Sequence, residues 1–211
     1  MRLVLASNNA KKLKELQALL SPAGLELVTQ GSLGIPEAEE PHVTFVENAL
    51  AKARHAARAA GGPAIADDSG LCVDALGGEP GVVSAHFAPL PPGAASQPRE
   101  DLRARQDAAN NALLLERMRG VADRRARFVS ALVAVRSADD PEPLIAFGRW
   151  NGEILPAMRG EGGFGYDPLM FIPGLDRTVA ELAAEVKNAH SHRAIASRQM
   201  LALMNEVWRL G

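Results

Sequence analysis

Ala64-Ile65-Ala66-Asp67-Asp68-Ser69-Gly70-Leu71 reads as a short buried strand whose end delivers two adjacent carboxylates, a hydroxyl and a turn glycine. Neighbouring side chains on an extended backbone point to opposite faces, so Asp67 and Asp68 are expected to do different jobs. One aims into a ligand site while the other braces the loop or supports a metal from behind. Open α/β sheets bind ligands at the carboxyl ends of their strands. Asp, Ser and Gly are also ordinary turn residues, and on these eight positions alone a plain strand exit fits equally well.

Working outward, 211 residues with 47% hydrophobic content suffice for one sizeable domain, or two small lobes sharing a sheet. A net charge of −2 advertises no basic surface for a nucleic-acid polymer but leaves room for a small anionic ligand. The single cysteine, Cys72, excludes an internal disulfide and points to a reducing, cytoplasmic setting. Residues 1–28 show no signal-peptide pattern, and no apolar run is long enough for a bilayer, so no membrane is expected. The 23 basic residues divide into 18 Arg and 5 Lys: Lys11, Lys12, Lys14, Lys52 and Lys187. Where Arg has replaced Lys so widely, a surviving lysine marks a place that needs a compact ammonium, or else survives by chance.

Residues 2–6 read as a buried strand, followed by Ser7-Asn8-Asn9 and a helix with Leu13, Leu16 and Leu20 on one face. Lys11 and Lys12 then fall in a first helical turn, where the dipole favours anions; an anionic ligand on open N–H groups would resolve the conflict. Pro22 and Gly24 end the helix, Leu25–Val28 gives a strand, and residues 31–43 form a loop carrying Glu37, Glu39 and Glu40. Thr44-Phe45-Val46-Glu47 matches a capping box for a helix to about Ala60, with Asn48 and Lys52 on one face. Convergent carboxylates without soft ligands suit Mg²⁺ rather than zinc, and His190 and His192 lack zinc spacing. Residues 88–98, rich in Pro, Ala, Gly and Ser, read as a mobile surface loop or lid rather than a domain linker.

Farther on, a helix is expected over 100–119 and a strand over 127–136. A hairpin is expected at Asn151-Gly152, between strands 144–150 and 153–158. Strands in succession without helices predict a mixed sheet. Residues 160–165 satisfy G-x-G-x-x-G, yet no helix follows and Pro168 precedes an apolar strand, so the dinucleotide reading fails. What remains is a flexible loop presenting Phe164 and the only tyrosine, Tyr166, as a platform for a planar base, or two rings plugging the core. Thr178–Glu181 reads as a second capping box for a helix to Lys187. Ser191-His192-Arg193 opens a last helix with Ile195, Leu201, Met204 and Trp208 for its buried face.

Five segments in this order, Ser7–Lys12, Thr44–Ala53, Ala66–Gly70, Gly163–Pro168 and Ser191–Arg193, resemble the Ham1/inosine triphosphatase family across nearly the whole chain. The wording is nearest its bacterial dITP/XTP-hydrolysing branch. The resemblance implies one ITPase-like domain over 1–211: an α/β fold with a mixed twisted central sheet flanked by helices, in two lobes with a nucleotide cleft between. It implies Mg²⁺-dependent hydrolysis of ITP, dITP and XTP to monophosphate and pyrophosphate, in a homodimer. By matched motif, Asp68 is the general base, and Glu40 and Asp68 hold Mg²⁺. Ser7, Asn8, Asn9, Ala10, Lys11, Lys12 and Lys52 meet the triphosphate. Ser69, Phe164, Gly165, Tyr166, Asp167, Lys187, His192 and Arg193 surround the rest of the nucleotide. Donors near His192 and Arg193 and in the glycine loop would read a purine 6-keto oxygen. A Maf-like pyrophosphatase acting on pyrimidine or modified nucleotides, and a nucleotide sensor without turnover, are the competing readings.

Overall fold

Arg2–Leu5 forms β1, whose alternating side chains are buried on both faces, as a central parallel strand requires. Leu3 and Leu5 join Leu16 and Leu20 of α1 (Ala10–Leu20), Ile65, Leu132, Ala196 and Met200 in one core layer. Val4 turns the other way, into a layer lined by Ala49, Ala53, Ala56 and Ala57 of α2 (Phe45–Ala60). This unit comprises residues 1–69, 129–149 and 188–211; a second comprises 70–128 and 150–187. A computed structural model describes residues 1–89 and 99–209; apart from Ala88 and Pro89, the expected lid at 88–98 lies outside the described residues.

The remaining elements are β2 (Glu26–Thr29), β3 (Ala64–Val73), α3 (Arg99–Arg117), β4 (Arg125–Val135), β5 (Leu144–Ile154), β6 (Met170–Ile172), β7 (Arg177–Thr178), α4 (Ala184–His190) and α5 (His192–Leu203). The strands lie in the order β2-β1-β3-β4-β5-β6-β7. β1 is parallel to β2 and β3, while β6 is antiparallel to β5 and β7, so the sheet is mixed, as expected. In the second unit, Leu71, Val73, Leu114, Met118, Phe128, Trp150, Tyr166, Leu169 and Met170 form the core.

Three expectations give way. β3 does not end at its carboxylates but continues to Val73, so Asp67 and Asp68 lie within the strand. Asn151-Gly152 is no hairpin: β5 runs straight through it. A Cβ on Gly152 would lie 2.3 Å from the Phe171 carbonyl oxygen, so this glycine serves a close approach to β6 rather than a turn. The Thr178–Glu181 capping box is present, but it opens one 3-10 turn that stops at extended Leu182, and α4 starts separately.

Gly148 on β5 shows the same device in the first unit. A Cβ there would lie 1.8 Å from the His192 carbonyl oxygen and 2.8 Å from the Ala196 nitrogen. Both obstacles are α5 backbone, which cannot swing aside as a side chain can. Gly148→Ala is therefore expected to cost about 3 kcal/mol, the upper end for over-packing, and to lower Tm by on the order of 6–12 °C in a thermal melt.

Candidate active site

Alternation along β3 decides the fate of its two carboxylates. Ile65 belongs to the layer containing α1 and α5, so Asp67 points there too; Ala66 belongs to the α2 layer, and so does Asp68. Asp67, 1% exposed, accepts at Oδ2 from Lys12 Nζ (2.9 Å), Arg193 Nε (3.2 Å) and Ser69 Oγ (3.0 Å), and at Oδ1 from Ser130 Oγ (2.6 Å). Burial pushes its carboxyl up, but Lys12, Arg193 and the Ser130 hydroxyl outweigh burial and hold it well below the usual carboxylate range. Asp67 is thus held as a carboxylate by its paired cations. Burial pulls the Lys12 ammonium below its ordinary value against the pull of Asp67.

Arg193 is fixed at three points: Nε to Asp67, Nη1 to Glu15 Oε2 (2.9 Å) and Nη2 to Ser69 Oγ (2.6 Å). Expected as a reader of the purine edge, its fork here braces Asp67 and Ser69. His192 is likewise buried, in the first turn of α5 under the Ser191 cap. Arg193→Met would leave Asp67 buried with one cation fewer, and breaking such a pair typically costs about 3–5 kcal/mol. Urea unfolding should register that loss, whereas Ser130→Ala, which removes one hydrogen bond, should cost about 1–3 kcal/mol.

Asp68 lives under different rules. Lys52 Nζ, on buried α2, lies 2.9 Å from Asp68 Oδ1 and 2.8 Å from Glu40 Oε2. Burial is the largest influence on Asp68 and, against the attraction of Lys52, pushes its carboxyl up to about 6. Glu40 moves the other way: burial raises it, but Lys52 outweighs this and its carboxyl is lowered. Lys52, drawn down by burial, is nonetheless raised by the two carboxylates. Asp68 Oδ2 is buried without a hydrogen-bond partner among the described residues. Sequence reasoning placed Asn48 on the Lys52 face; its amide closes the loop by bonding the His42 backbone at both ends (3.0 and 3.1 Å), two residues beyond Glu40.

The loop after β1 is tightly tied. Ser7 Oγ accepts from Asn9 N (3.1 Å), and Asn8 Nδ2 donates to Glu37 Oε1 (3.0 Å). Asn9 caps α1 by accepting from the N–H groups of Lys11 and Lys12 (3.1 and 3.2 Å). The Asn9 cap, the chemistry expected of Ser7-Asn8-Asn9, thus occupies two N–H groups at the helix start where an anion was expected. Ala10 and Lys11 begin the helix at an exposed position. In the second unit, Lys187 Nζ lies 2.9 Å from Asp167 Oδ2 and 4.6 Å from the centre of the Phe164 ring. Phe164 N donates to the same Asp167 oxygen (2.9 Å), Tyr166 is 5% exposed, and Gly165 sits at φ +61°. Tyr166 is thus a core ring, its hydroxyl on the Ser84 carbonyl (2.9 Å), not an open platform.

Glu15 and Ser130 escaped the sequence reading. Ser130, a polar residue inside the apolar run Phe128–Val135, carried a legible signal; Glu15 on an amphipathic helix did not. No group of three His, Cys, Asp or Glu side chains suited to a metal occurs among the described residues.

These features define an α/β protein in which β3 carries the cation-paired Asp67 on one face and Asp68, its carboxyl raised, on the other, each bonded to a lysine. The chain belongs to the Ham1 family, whose model matches residues 3–203. A dITP/XTP pyrophosphatase of Leptothrix cholodnii is 72% identical over the full length of both chains. One of Methylibium petroleiphilum is 73% identical over 208 residues, 99% of each. A solved Ham1 protein from Coxiella burnetii is 41% identical with a TM-score of 0.84, covering 98% of this chain and 100% of that one.

Proposed function

We propose that this chain hydrolyses non-canonical purine nucleoside triphosphates, ITP, dITP and XTP, to monophosphate and pyrophosphate. One observation carries the reading: Asp68, buried 2.9 Å from Lys52 Nζ with its carboxyl pushed up to about 6, keeps an acceptor oxygen unpartnered among the described residues, whereas its neighbour Asp67 is tied down by Lys12 and Arg193. A general base works best when its pKa lies near the working pH. Asp68 orients a water and takes its proton; the water oxygen bonds to phosphorus, the bridging α–β bond breaks and pyrophosphate leaves. Lys52 and Lys12 oppose charge building on the departing oxygens. Glu40 and Asp68 share the Lys52 ammonium, Asp68 Oδ2 has no hydrogen-bond partner among the described residues, and both side chains are hard oxygen donors, so they would hold Mg²⁺ together with substrate oxygens. When bound, that ion supplies Lewis-acid charge to the phosphates.

Ser7 to Lys12 complete the phosphate side of this reading. Phe164, Gly165, Asp167, Lys187, Ser69 and His192 serve the nucleoside, with Tyr166 anchoring the loop from the core and Arg193 bracing Ser69, and backbone and side-chain donors there pair with a 6-keto oxygen and not with an amino group. A homodimer and a cytoplasmic setting belong to the same proposal. No helix among the described residues is long and apolar enough to cross a membrane. A panel of ITP, dITP, XTP, GTP, ATP, dTTP and UTP with Mg²⁺, scored for pyrophosphate and orthophosphate, tests it. Pyrophosphate from the first three is expected. Preference for dTTP or UTP, orthophosphate, or no turnover would overturn it.

A further inference from the structure

Helix α3 grips one residue of the glycine loop at both its backbone N–H and its carbonyl. Asp107 Oδ2 accepts from Gly165 N, and Asn111 Nδ2 donates to Gly165 O, each at 2.8 Å. Asp107 and Asn111 are four residues apart, hence on one face of α3. Gly165 adopts φ +61°, a conformation that nothing in its own side chain maintains. On either side of the gripped residue stand Phe164, its N–H on Asp167 Oδ2, and Tyr166, its hydroxyl on the Ser84 carbonyl. Asn110, next to Asn111, donates to that same carbonyl (3.1 Å), so α3 fixes the loop through a second route.

The orientation of Asn111 is dictated by its neighbours. Its Nδ2 also donates to Asp107 O (2.8 Å), so a flipped amide would set an oxygen against two carbonyls. Its Oδ1 is left buried and without a hydrogen-bond partner among the described residues, and the side chain is 4% exposed. Burying that oxygen unpaired costs free energy, which the two bonds made by Nδ2 offset.

We propose that Asp107 and Asn111 are positioning residues for substrate specificity: by clamping the Gly165 backbone they hold Phe164 and Asp167 in the arrangement that selects the nucleotide. This rests on the assignment of the Phe164–Asp167 loop to the nucleoside. Both residues bond the backbone of the loop assigned to the nucleoside, so the clamp acts on KM and on discrimination rather than on kcat.

Asn111→Asp is nearly isosteric but turns the donor into an acceptor. It is expected to raise KM for ITP about tenfold, to narrow ITP-over-ATP discrimination by a similar factor, and to leave kcat within about threefold. Amide exchange of Gly165, followed by NMR on the full chain, needs no turnover. It should quicken at least about tenfold in Asp107→Ala and return toward the original rate in Asp107→Asn, which keeps an acceptor. Unchanged exchange in Asp107→Ala overturns the clamp. Lost protection with unaltered KM and discrimination, or kcat falling as steeply as kcat/KM, overturns its role in specificity. No pyrophosphate from the unaltered protein would instead overturn the proposed function, and the exchange rates would still decide the clamp.

Discussion

Asp68→Asn is expected to lower ITP turnover by at least about 10³-fold, within the range for losing a general base, while ITP binding persists. The amide keeps the shape of the carboxylate and an oxygen for the Lys52 ammonium, so what disappears is the ability to take a proton. A second effect separates this residue from a merely structural one. Burial raises the folded-state value of Asp68 from the ordinary 3.8 to about 6, so the fold prefers its neutral form. The stability contributed by that preference is fully present below pH 3.8 and is lost as pH rises through about 6. At pH 8 the ionised carboxylate therefore weakens the metal-free protein, by up to about 3 kcal/mol. Asn never ionises, so the variant should melt higher than the original at pH 8, with the gap closing towards pH 5. Turnover like that of the original protein would remove Asp68 from the role of base. A variant less stable at pH 8 would sink the account of its environment.

That environment was only half legible in the sequence. The octapeptide at 64–71 announced two carboxylates on opposite faces, and alternation alone separates them: Asp67 shares the side of Ile65, Asp68 that of Ala66. The scarcity of lysine was equally telling. Three of the five lysines, Lys12, Lys52 and Lys187, each lie 2.9 Å from a buried carboxylate, Asp67, Asp68 and Asp167 respectively. The chain's rules of local patterning could not name those partners, because Arg193 and Asp67 are 126 residues apart and meet only once β3 and α5 are packed. Locality also explains the failure at Asn151-Gly152. A dipeptide favouring a turn was outweighed by β6 pressing against the glycine, a demand written elsewhere in the chain. Tyr166 went the same way: the loop's glycines were readable, but that its ring belongs to the core followed from α3 and Ser84.

The lysine argument has its sharpest consequence at position 52. Lys52→Arg conserves charge, yet is expected to reduce kcat about 100-fold, because a fork of fixed geometry replaces one compact ammonium. Nζ serves Glu40 and Asp68 at 2.8 and 2.9 Å from a helix whose flanking Ala49, Ala53 and Ala56 are fully buried, leaving no slack for a longer, planar group. Arg58, on the same helix but with a side chain 68% exposed in a 3.7 Å pair with Asp139, provides the control: Arg58→Lys should change kcat by less than about twofold. Lys52→Met separates charge from shape. The Lys52 ammonium lowers Asp68 against burial, so deleting it lets Asp68 climb above about 6, and the acidic limb of the pH–rate profile moves up with it. Lys52→Arg should lower the plateau of that profile without moving the limb. If both variants shifted the limb equally, Lys52 would act through charge alone, and the retention of lysine here would carry no chemical meaning.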